Sequence, residues 1–154
     1  MTESSDSLSC LLLPMTGCQL LLPAVSVAET LELTHTLQPV TGYPGVIGRI
    51  HWRGQSLPVL SWELVNQSKV HIPESGRGRI LVLKTIGEHR DQLPFMALTS
   101  QDTPQTVEIH ASQLKALDEE AGPADQMAVT LDDTEAIIPD LPYLETLAIA
   151  AVRS

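Results

Sequence analysis

Short hydrophobic runs separated by turn-forming residues recur along the whole chain, a pattern that predicts many short strands. Residues 10–15 and 19–25 flank Thr16-Gly17, which indicates a β-hairpin whose glycine supplies a positive φ. Residues 46–52 and 57–62 form a second pair of runs around the tight turn at 53–56. The first half of the chain is therefore predicted to consist of hairpins.

The second half repeats this pattern more loosely. Strands are predicted at residues 79–85, 93–99, 106–110, 127–131 and 135–138, the last two joined by a turn at 132–134. Leucines at helical spacing predict one or two helical turns within 111–120. Asp140 is placed to cap a helix over about 141–152, with Pro142 in its first turn. Nine or so short strands and two short helices make the predicted fold mostly β.

Two polar stretches suggest how the chain is divided. Residues 1–8 are predicted to be a flexible N-terminal tail, and 66–78 to be a connector between two lobes of one domain over 9–154. Within residues 25–29, strand alternation puts Val25, Val27 and Glu29 on one face. This places a carboxylate in an apolar row, where it needs a partner.

The composition supports a folded protein that is rich in strands. Of the 154 residues, 43% are hydrophobic but only 3% are aromatic, and 11 prolines and 9 glycines argue against long helices. The formal net charge of −10 disfavours nucleic acid and anionic membrane surfaces as partners. The charge is concentrated at one end, since residues 101–154 contain eleven acidic and two basic residues. A basic partner would therefore be expected to contact the C-terminal third, although the same charge also serves as a solvated, solubilising face.

The cysteines and the N-terminal residues give no sign of a metal site or an export signal. Cys10 and Cys18 do not form a CxxC pair, so both are interpreted as reduced thiols in apolar surroundings. The apolar stretch 11–27 follows an acidic leader and is broken by two prolines and a glycine, which disfavours a signal peptide or a spanning helix. The expected location is the cytoplasm.

Residue types used in catalysis are present, but not in catalytic arrangements. No G-x-S-x-G elbow surrounds any serine. The run at 42–48 has G-x-x-G-x-x-G spacing and precedes a strand, so it does not match a phosphate-binding loop. The five histidines never recur at helical spacing and none lies near a cysteine in sequence. We expect no enzymatic activity, no cofactor and no metal.

Two segments resemble the CheW family, small adaptors that couple chemoreceptors to the histidine kinase CheA. The first is residues 44–60 (PGVIGRIHWRGQSLPVL), which match a glycine-rich entry, a strand, an Arg-Gly turn and a Leu-Pro-Val strand. The second is residues 23–29 (PAVSVAE), which match an aliphatic strand that ends in Val-x-Glu. The separation of Glu29 and Arg53 agrees with the family pattern without a gap.

The resemblance implies a fold of two intertwined five-stranded SH3-like barrels with short helices. It also implies a role without chemistry, in which a groove between the lobes binds the cytoplasmic tip of a chemoreceptor. Strand-edge surfaces would dock on the regulatory domain of a CheA-type kinase. The protein would then act by positioning receptor and kinase relative to one another.

The resemblance also implies which residues meet the partners. Glu29 and Arg53 are expected to pair through two parallel hydrogen bonds and to fix the edge of the groove. The contact surface around them is expected to comprise Val27, Thr30, Ile47, Gly48 and Leu57. The loop around Tyr43 is expected to contribute to the kinase surface.

The chain departs from the family pattern at several positions, which identifies it as a divergent member. His51-Trp52 stands where the family has Asn-Leu, and Ser61-Trp62-Glu63 where it has Asp-Leu-Arg. Both tryptophans are interpreted as core residues, with an interface anchor as the alternative. The divergence suggests a system that controls type IV pilus twitching motility. Alternative functions are a regulator or decoy that binds only one partner, and a β-barrel that binds a small ligand.

Overall fold

The computed structural model describes residues 7–33, 37–67, 77–87, 90–117 and 122–153. Its twelve strands are β1 (Ser7–Met15), β2 (Cys18–Pro23), β3 (Val27–Glu32), β4 (Gln38–Pro39), β5 (Val46–Trp52), β6 (Gln55–Leu60), β7 (Arg79–Lys84), β8 (Phe95–Ser100), β9 (Gln105–His110), β10 (Leu114–Ala116), β11 (Asp125–Leu131) and β12 (Thr134–Pro139). Two α-helices, α1 (Trp62–Gln67) and α2 (Leu141–Arg153), and two three-residue 3₁₀ turns complete the described elements.

The strands form two six-stranded sheets. The terminal sheet, built from both ends of the chain, has the order β10-β11-β12-β2-β1-β9, and the central sheet has the order β3-β7-β8-β6-β5-β4. Each sheet contains one parallel pair, β12 with β2 and β6 with β8, among antiparallel neighbours. The middle of the chain therefore folds into one lobe, while the first two strands and the last four fold into the other.

Each sheet encloses its own hydrophobic core, and a third core lies between the sheets. Leu57, Val59 and Val82 belong to the core of the central sheet, and Leu12 and Leu21 to that of the terminal sheet. The third core combines residues from both sheets with the inner face of α2. Since neighbouring residues of a strand point to opposite faces, the strands whose consecutive residues are all buried, such as β6 over 57–60 and β7 over 80–83, are covered on both sides and have continuous apolar sequences.

The helices begin where the sequence supplies their caps. The Tyr143 N–H donates to Asp140 Oδ1 at 3.1 Å, so Asp140 caps α2 as expected from the sequence. Ser61 precedes α1, and its Oγ accepts the Leu64 N–H at 3.1 Å. The Arg49 guanidinium donates to the Ala151 carbonyl at 2.7 Å, which joins the C-terminal end of α2 to β5.

The fold class expected from the sequence and the family resemblance is confirmed: mostly β, in two lobes. Each sheet consists of five strands of at least six residues and one short strand, β10 with three residues or β4 with two. Strands this short leave no alternation pattern, which explains why the hydrophobic pattern predicted only nine or so strands, and the long strands number five in each sheet, as the family resemblance implied. The hairpins β1–β2, β5–β6 and β11–β12 form around the predicted turns.

Three sequence predictions about segments differ from the structure. Residues 66–78 do not separate the lobes, because β6 and β7 on either side belong to the same sheet; residues 68–76 lie outside the described part of the chain. The chain instead crosses between sheets at 24–26 and 101–104. Ser7 and Leu8 of the expected tail lie in β1, and residues 1–6 lie outside the described part. Of the predicted helical turns at 111–120, residues 118–120 lie outside the described part, and residues 111–116 form one 3₁₀ turn followed by β10, because cross-strand pairing with β11 overrides the weak helical pattern.

The apolar row predicted at residues 25–29 is also wrong. A 3₁₀ turn at Ala24–Ser26 precedes β3 and leaves Val25 74% exposed. A bulge follows, since Val27 pairs with Leu83 whereas Glu29 pairs with Val82. Because adjacent residues of β7 face opposite sides, the bulge places Glu29 on the opposite face of the sheet from Val27.

Candidate functional site

The β5–β6 hairpin presents Trp52 and Arg53 at one end of the central sheet. Arg53 and Gly54 connect the strands with φ values of 49° and 78°, the positive values that a two-residue type I′ turn requires. Trp52 is the last residue of β5, 6% exposed, and pairs with Gln55. The turn thus brings a buried indole and an exposed guanidinium together.

Glu29, Trp52 and Arg53 form one cluster, here called the Glu29 cluster. The Trp52 indole N–H donates to Glu29 Oε1 at 2.9 Å, and an Arg53 guanidinium nitrogen lies 3.4 Å from the same oxygen. The Arg53 guanidinium carbon lies 4.6 Å from the centre of the Trp52 ring, a cation–π distance. The Phe95 ring packs against the Trp52 ring in a tilted arrangement, with ring centres 4.8 Å apart.

The structure brings Glu29 and Arg53 together as predicted, but by a weaker contact than expected. One guanidinium nitrogen reaches one carboxylate oxygen, rather than the two parallel bonds expected. The side chains of Arg53 and Glu29 are 69% and 41% exposed, so their mutual attraction is screened by water. Such an exposed pair contributes at most about 1 kcal/mol to stability. The shorter bond of this carboxylate goes to Trp52.

Three residues of the expected contact surface are buried, which corrects their assignment. Ile47 and Leu57 are 9% and 1% exposed and belong to the core of the central sheet. Gly48 lies against β4, where an added Cβ would be 2.6 Å from the Gln38 carbonyl oxygen. Their family-like pattern is explained by packing: two fill the core, and the glycine admits the neighbouring strand.

Val27 and Thr30 do not join the Glu29 cluster. Val27 is half-buried and packs on the core between the sheets. Thr30 is exposed and pairs with Leu81, on the face opposite to Glu29. The bulge in β3 therefore separates Val27 from Glu29, which strand alternation had placed on one face, whereas Thr30 faces away from Glu29 by ordinary alternation.

Tyr43 lines an open groove of about 560 Å³ that is separate from the Glu29 cluster. The groove lies between the loop at 42–45, α1, Pro123 and α2, and Tyr143 of α2 faces it from the other side. The wall containing Pro123 is fixed because Asn66 Oδ1 accepts the Ala124 N–H at 2.8 Å. We call this surface the tyrosine groove.

A second groove, about 170 Å³, lies between the two sheets and is here called the inter-sheet groove. It is lined by Pro23 and Ile138 of the terminal sheet, Pro142 of α2 and Ile86, which follows β7 of the central sheet. Ile86 is 54% exposed, so its aliphatic side chain is accessible at this groove. Neither Glu29 nor Arg53 lines the inter-sheet groove. In contrast to the prediction, their ion pair therefore does not form the edge of this groove.

Two buried glutamates hold the lobes in place, and the sequence analysis missed them. Glu63 is 0% exposed; its Oε2 accepts the Thr16 N–H at 3.0 Å and the Gln101 side-chain N–H at 3.1 Å. Glu145 is 1% exposed and accepts the backbone N–H groups of Ile86 and Gly87, both at 2.7 Å. The sequence gives no direct signal for either, because the donors lie 38 to 59 residues away.

The cysteine environment leads to a prediction for alkaline pH. Burial, and secondarily the charges of Asp125 and Glu63, raises the pKa of the Cys18 thiol to about 11. In the unfolded chain the thiol has a pKa of about 8.5. The free energy of unfolding that comes from burying this thiol in its neutral form is therefore fully present below that pH, and it is lost as the pH rises towards 11. Urea unfolding at about pH 8 and about pH 10.5 should show a smaller loss of stability in Cys18→Ala than in the wild type. Equal losses would contradict the prediction.

No group of three potential metal-binding side chains occurs within residues 7–33, 37–67, 77–87, 90–117 and 122–153. No helix among these residues is long and apolar enough to cross a bilayer. Cys10, like Cys18, has its thiol pKa raised by burial. The two grooves and the Glu29–Arg53 ion pair described above are features suited to binding another macromolecule.

Comparison with known proteins finds a matching family and a protein of similar fold. The family model for the CheW-like domain matches residues 9–146. Among solved structures, the scaffolding protein TtCheW from Thermoanaerobacter tengcongensis is similar in fold, with a TM-score of 0.72 and 14% sequence identity. The alignment covers 89% of this chain and 86% of that protein. Comparison with curated protein sequences found no significant match.

Proposed function

We propose that this chain, which belongs to the family of CheW-like domains, is a non-catalytic adaptor that couples chemoreceptor tips to a CheA-type histidine kinase. The observation that carries the proposal is the family match over residues 9–146, which includes nearly all of both sheets, the Glu29 cluster, the inter-sheet groove and all but one of the residues that line the tyrosine groove. The adaptor would hold receptor and kinase in a fixed relation, so that a shift in one changes the other.

The inter-sheet groove is the proposed receptor site. An α-helix binds in a groove through apolar side chains that repeat along one face. The groove offers Pro23, Ile138 and Pro142 as apolar lining residues and the exposed Ile86 as a rim. Val25, exposed in the 3₁₀ turn next to Pro23, extends the apolar surface. A receptor tip consists of helices, which suits this shape.

The tyrosine groove is the proposed kinase surface. Tyr43 and Tyr143 supply aromatic rings with polar ends, the residue type enriched at protein interfaces. This groove is lined by residues of α1, the loop at 42–45 and α2. None of the residues that line it also lines the inter-sheet groove. Separate sites permit both partners to bind at once, as an adaptor requires.

The Glu29 cluster is a charged contact point at the end of the central sheet, distinct from both grooves.

The proposal extends to a cytoplasmic location and to a pathway that controls type IV pili. Support for the pilus pathway is the substitution of His51-Trp52 and Ser61-Trp62-Glu63 for the usual family residues. The small-ligand alternative would require a closed apolar pocket; the apolar pocket beside the terminal sheet measures about 140 Å³, small for a ligand pocket, and the larger tyrosine groove is open to solvent.

One exposed substitution in each groove tests the proposal. Ile86 is 54% and Tyr143 38% exposed, so a charge at either position should leave the fold intact. Ile86→Glu should weaken binding of a receptor-tip fragment at least about tenfold and leave kinase-domain binding unchanged. Tyr143→Glu should have the reverse effect. Isothermal titration calorimetry of each variant with each partner measures the dissociation constants for the receptor-tip fragment and for the kinase domain.

The two variants serve as controls for one another. If the wild type bound only one partner, the chain would be a single-partner regulator rather than a coupling adaptor. If it bound neither, the proposal would fail.

A further inference from the structure

The Asp125 carboxylate accepts three N–H groups from two different segments of the chain. Its Oδ1 accepts the Trp62 indole N–H at 2.8 Å and the Asn66 side-chain N–H at 2.7 Å, both from α1. Its Oδ2 accepts the Gly122 backbone N–H at 3.1 Å. Asn66 adds a fourth bond, because its Oδ1 accepts the Ala124 N–H at 2.8 Å. We call Trp62, Asn66 and Asp125 the Asp125 clamp.

The Asp125 clamp joins two walls of the tyrosine groove. Leu64 and Val65, which line the groove, lie on α1 between the two donors to Asp125. Pro123, which also lines the groove, lies between the two loop residues whose N–H groups are bound. Asp125 itself is outside the groove lining. By holding the two segments together, the clamp fixes the position of one wall relative to the other.

The loop segment that Asp125 holds also reaches a third wall. The Ala124 carbonyl oxygen accepts the Asp140 N–H at 2.8 Å, and Asp140 caps α2, whose Tyr143 lines the groove. Ala124 is 0% exposed, so this junction is shielded from water. The loop segment thus connects α1 with α2.

The local structure of these walls does not determine their separation. Helix α1 has six residues, and a helix this short is not stable without tertiary contacts. Residues 122–124 belong to no helix or strand. Hydrogen bonds to a charged acceptor are stronger than those between neutral groups. We therefore expect the Asp125 carboxylate to set the separation between α1 and the loop segment.

We propose that Asp125 is a positioning residue for the kinase regulatory domain, because it holds α1 and residues 122–124 at the separation that gives the tyrosine groove its shape. This inference rests on the kinase assignment of the groove proposed above and extends it to a carboxylate outside the groove. A groove that is formed before the partner docks avoids the entropy cost of ordering its walls during binding. Asp125 thus increases the affinity for the kinase domain without lining its site.

The substitution Asp125→Asn tests this role, because it keeps the side-chain volume and replaces one acceptor oxygen with an NH₂ donor. For the kinase regulatory domain we expect the dissociation constant to rise roughly tenfold, the effect of losing a hydrogen bond to a charged group. The dissociation constant for the receptor tip should not change, because Gln126, the next residue, lies in the inter-sheet groove and is held by the pairing of β11 with β12. Isothermal titration calorimetry with each partner measures both constants.

Asp132→Asn is the matched control. Asp132 lies in the turn at the other end of β11, where its Oδ2 accepts the Gln113 side-chain N–H at 2.7 Å. The same loss of one negative charge there should leave both dissociation constants unchanged. Trp62→Phe is a second, milder variant that removes one of the three donors and keeps an aromatic ring in the core. It should weaken kinase binding in the same direction, so the test does not depend on the folding of a single variant.

A double-mutant cycle separates positioning from general effects of charge and stability. In a Pro123→Ala background, Asp125→Asn should have a much smaller effect on kinase affinity, because the wall that it positions has lost its contact. Additive effects, unchanged kinase binding by Asp125→Asn, or equal weakening of both partners would overturn the inference. So would an equal loss of kinase affinity in Asp132→Asn. A wild-type protein that does not bind the kinase domain would instead refute the adaptor function, so the two failures are distinguishable.

Discussion

Glu63→Ala should lower the free energy of unfolding by about 3 kcal/mol or more, the largest loss that we expect from a single polar side chain. The carboxyl group is 0% exposed and accepts hydrogen bonds from the turn between β1 and β2, from Gln101 after β8 and from Ser61. It therefore links the terminal sheet, the central sheet and α1. Removing it leaves a void and deprives Thr16 and Gln101 of this acceptor.

Chemical denaturation of Glu63→Ala, Glu63→Gln and Glu32→Ala measures this effect. Glu63→Gln keeps the side-chain volume and one acceptor oxygen, so it should lose less than the alanine variant. Glu32 is exposed on β3 and provides the control, with an expected change within about 0.5 kcal/mol. A loss below about 1 kcal/mol in Glu63→Ala would show that the inter-sheet contacts of Glu63 do not stabilise the fold.

Glu145→Ala should cost about 3 kcal/mol and should also weaken receptor binding. Both carboxylate oxygens accept backbone N–H groups at 2.7 Å, one from Ile86 and one from Gly87. The site is tightly fitted, since a Cβ at Gly87 would lie 2.6 Å from Glu145 Oε1. Because Ile86 forms the rim of the inter-sheet groove, loss of this anchor should release the rim as well as destabilise the fold.

Hydrogen exchange and denaturation together test this second prediction. The amides of Ile86 and Gly87 should lose protection in Glu145→Ala, while amides in β5 and β6 keep theirs relative to global stability. Glu145→Gln should also be destabilised, because its NH₂ group would face one of the two N–H donors. Thr146→Ala, an exposed change on the same helix, serves as the control. Unchanged protection at 86 and 87 would contradict the proposed anchor.

The hairpins were predictable because their determinants are local. Thr16-Gly17 and Arg53-Gly54 connect strands whose alternation and turn residues agree with each other. The assignment of strands to sheets was not predictable in the same way, since a polar sequence such as that of 66–78 is equally compatible with a link between two lobes and with a link between two strands of one sheet. Hydrophobic patterning identifies a strand but does not specify its partner.

The candidate site was predictable only in part. The family pattern predicted a contact between Glu29 and Arg53, and in the structure a guanidinium nitrogen of Arg53 lies 3.4 Å from Glu29 Oε1. The same pattern included Ile47 and Leu57, which are buried, because a recurring aliphatic position is equally compatible with a core and an interface. Trp52 was predicted to be a core residue from its type, but its bond to Glu29 depends on the bulge in β3, which alternation alone does not reveal.

The most direct test of the adaptor function is whether receptor tip and kinase regulatory domain bind this protein simultaneously. Sedimentation of the three purified components, alone, in pairs and together, measures this. The two separate grooves predict a ternary complex in which each partner binds with an affinity similar to that in its binary complex. Mutually exclusive binding, or binding of neither partner, would contradict the account.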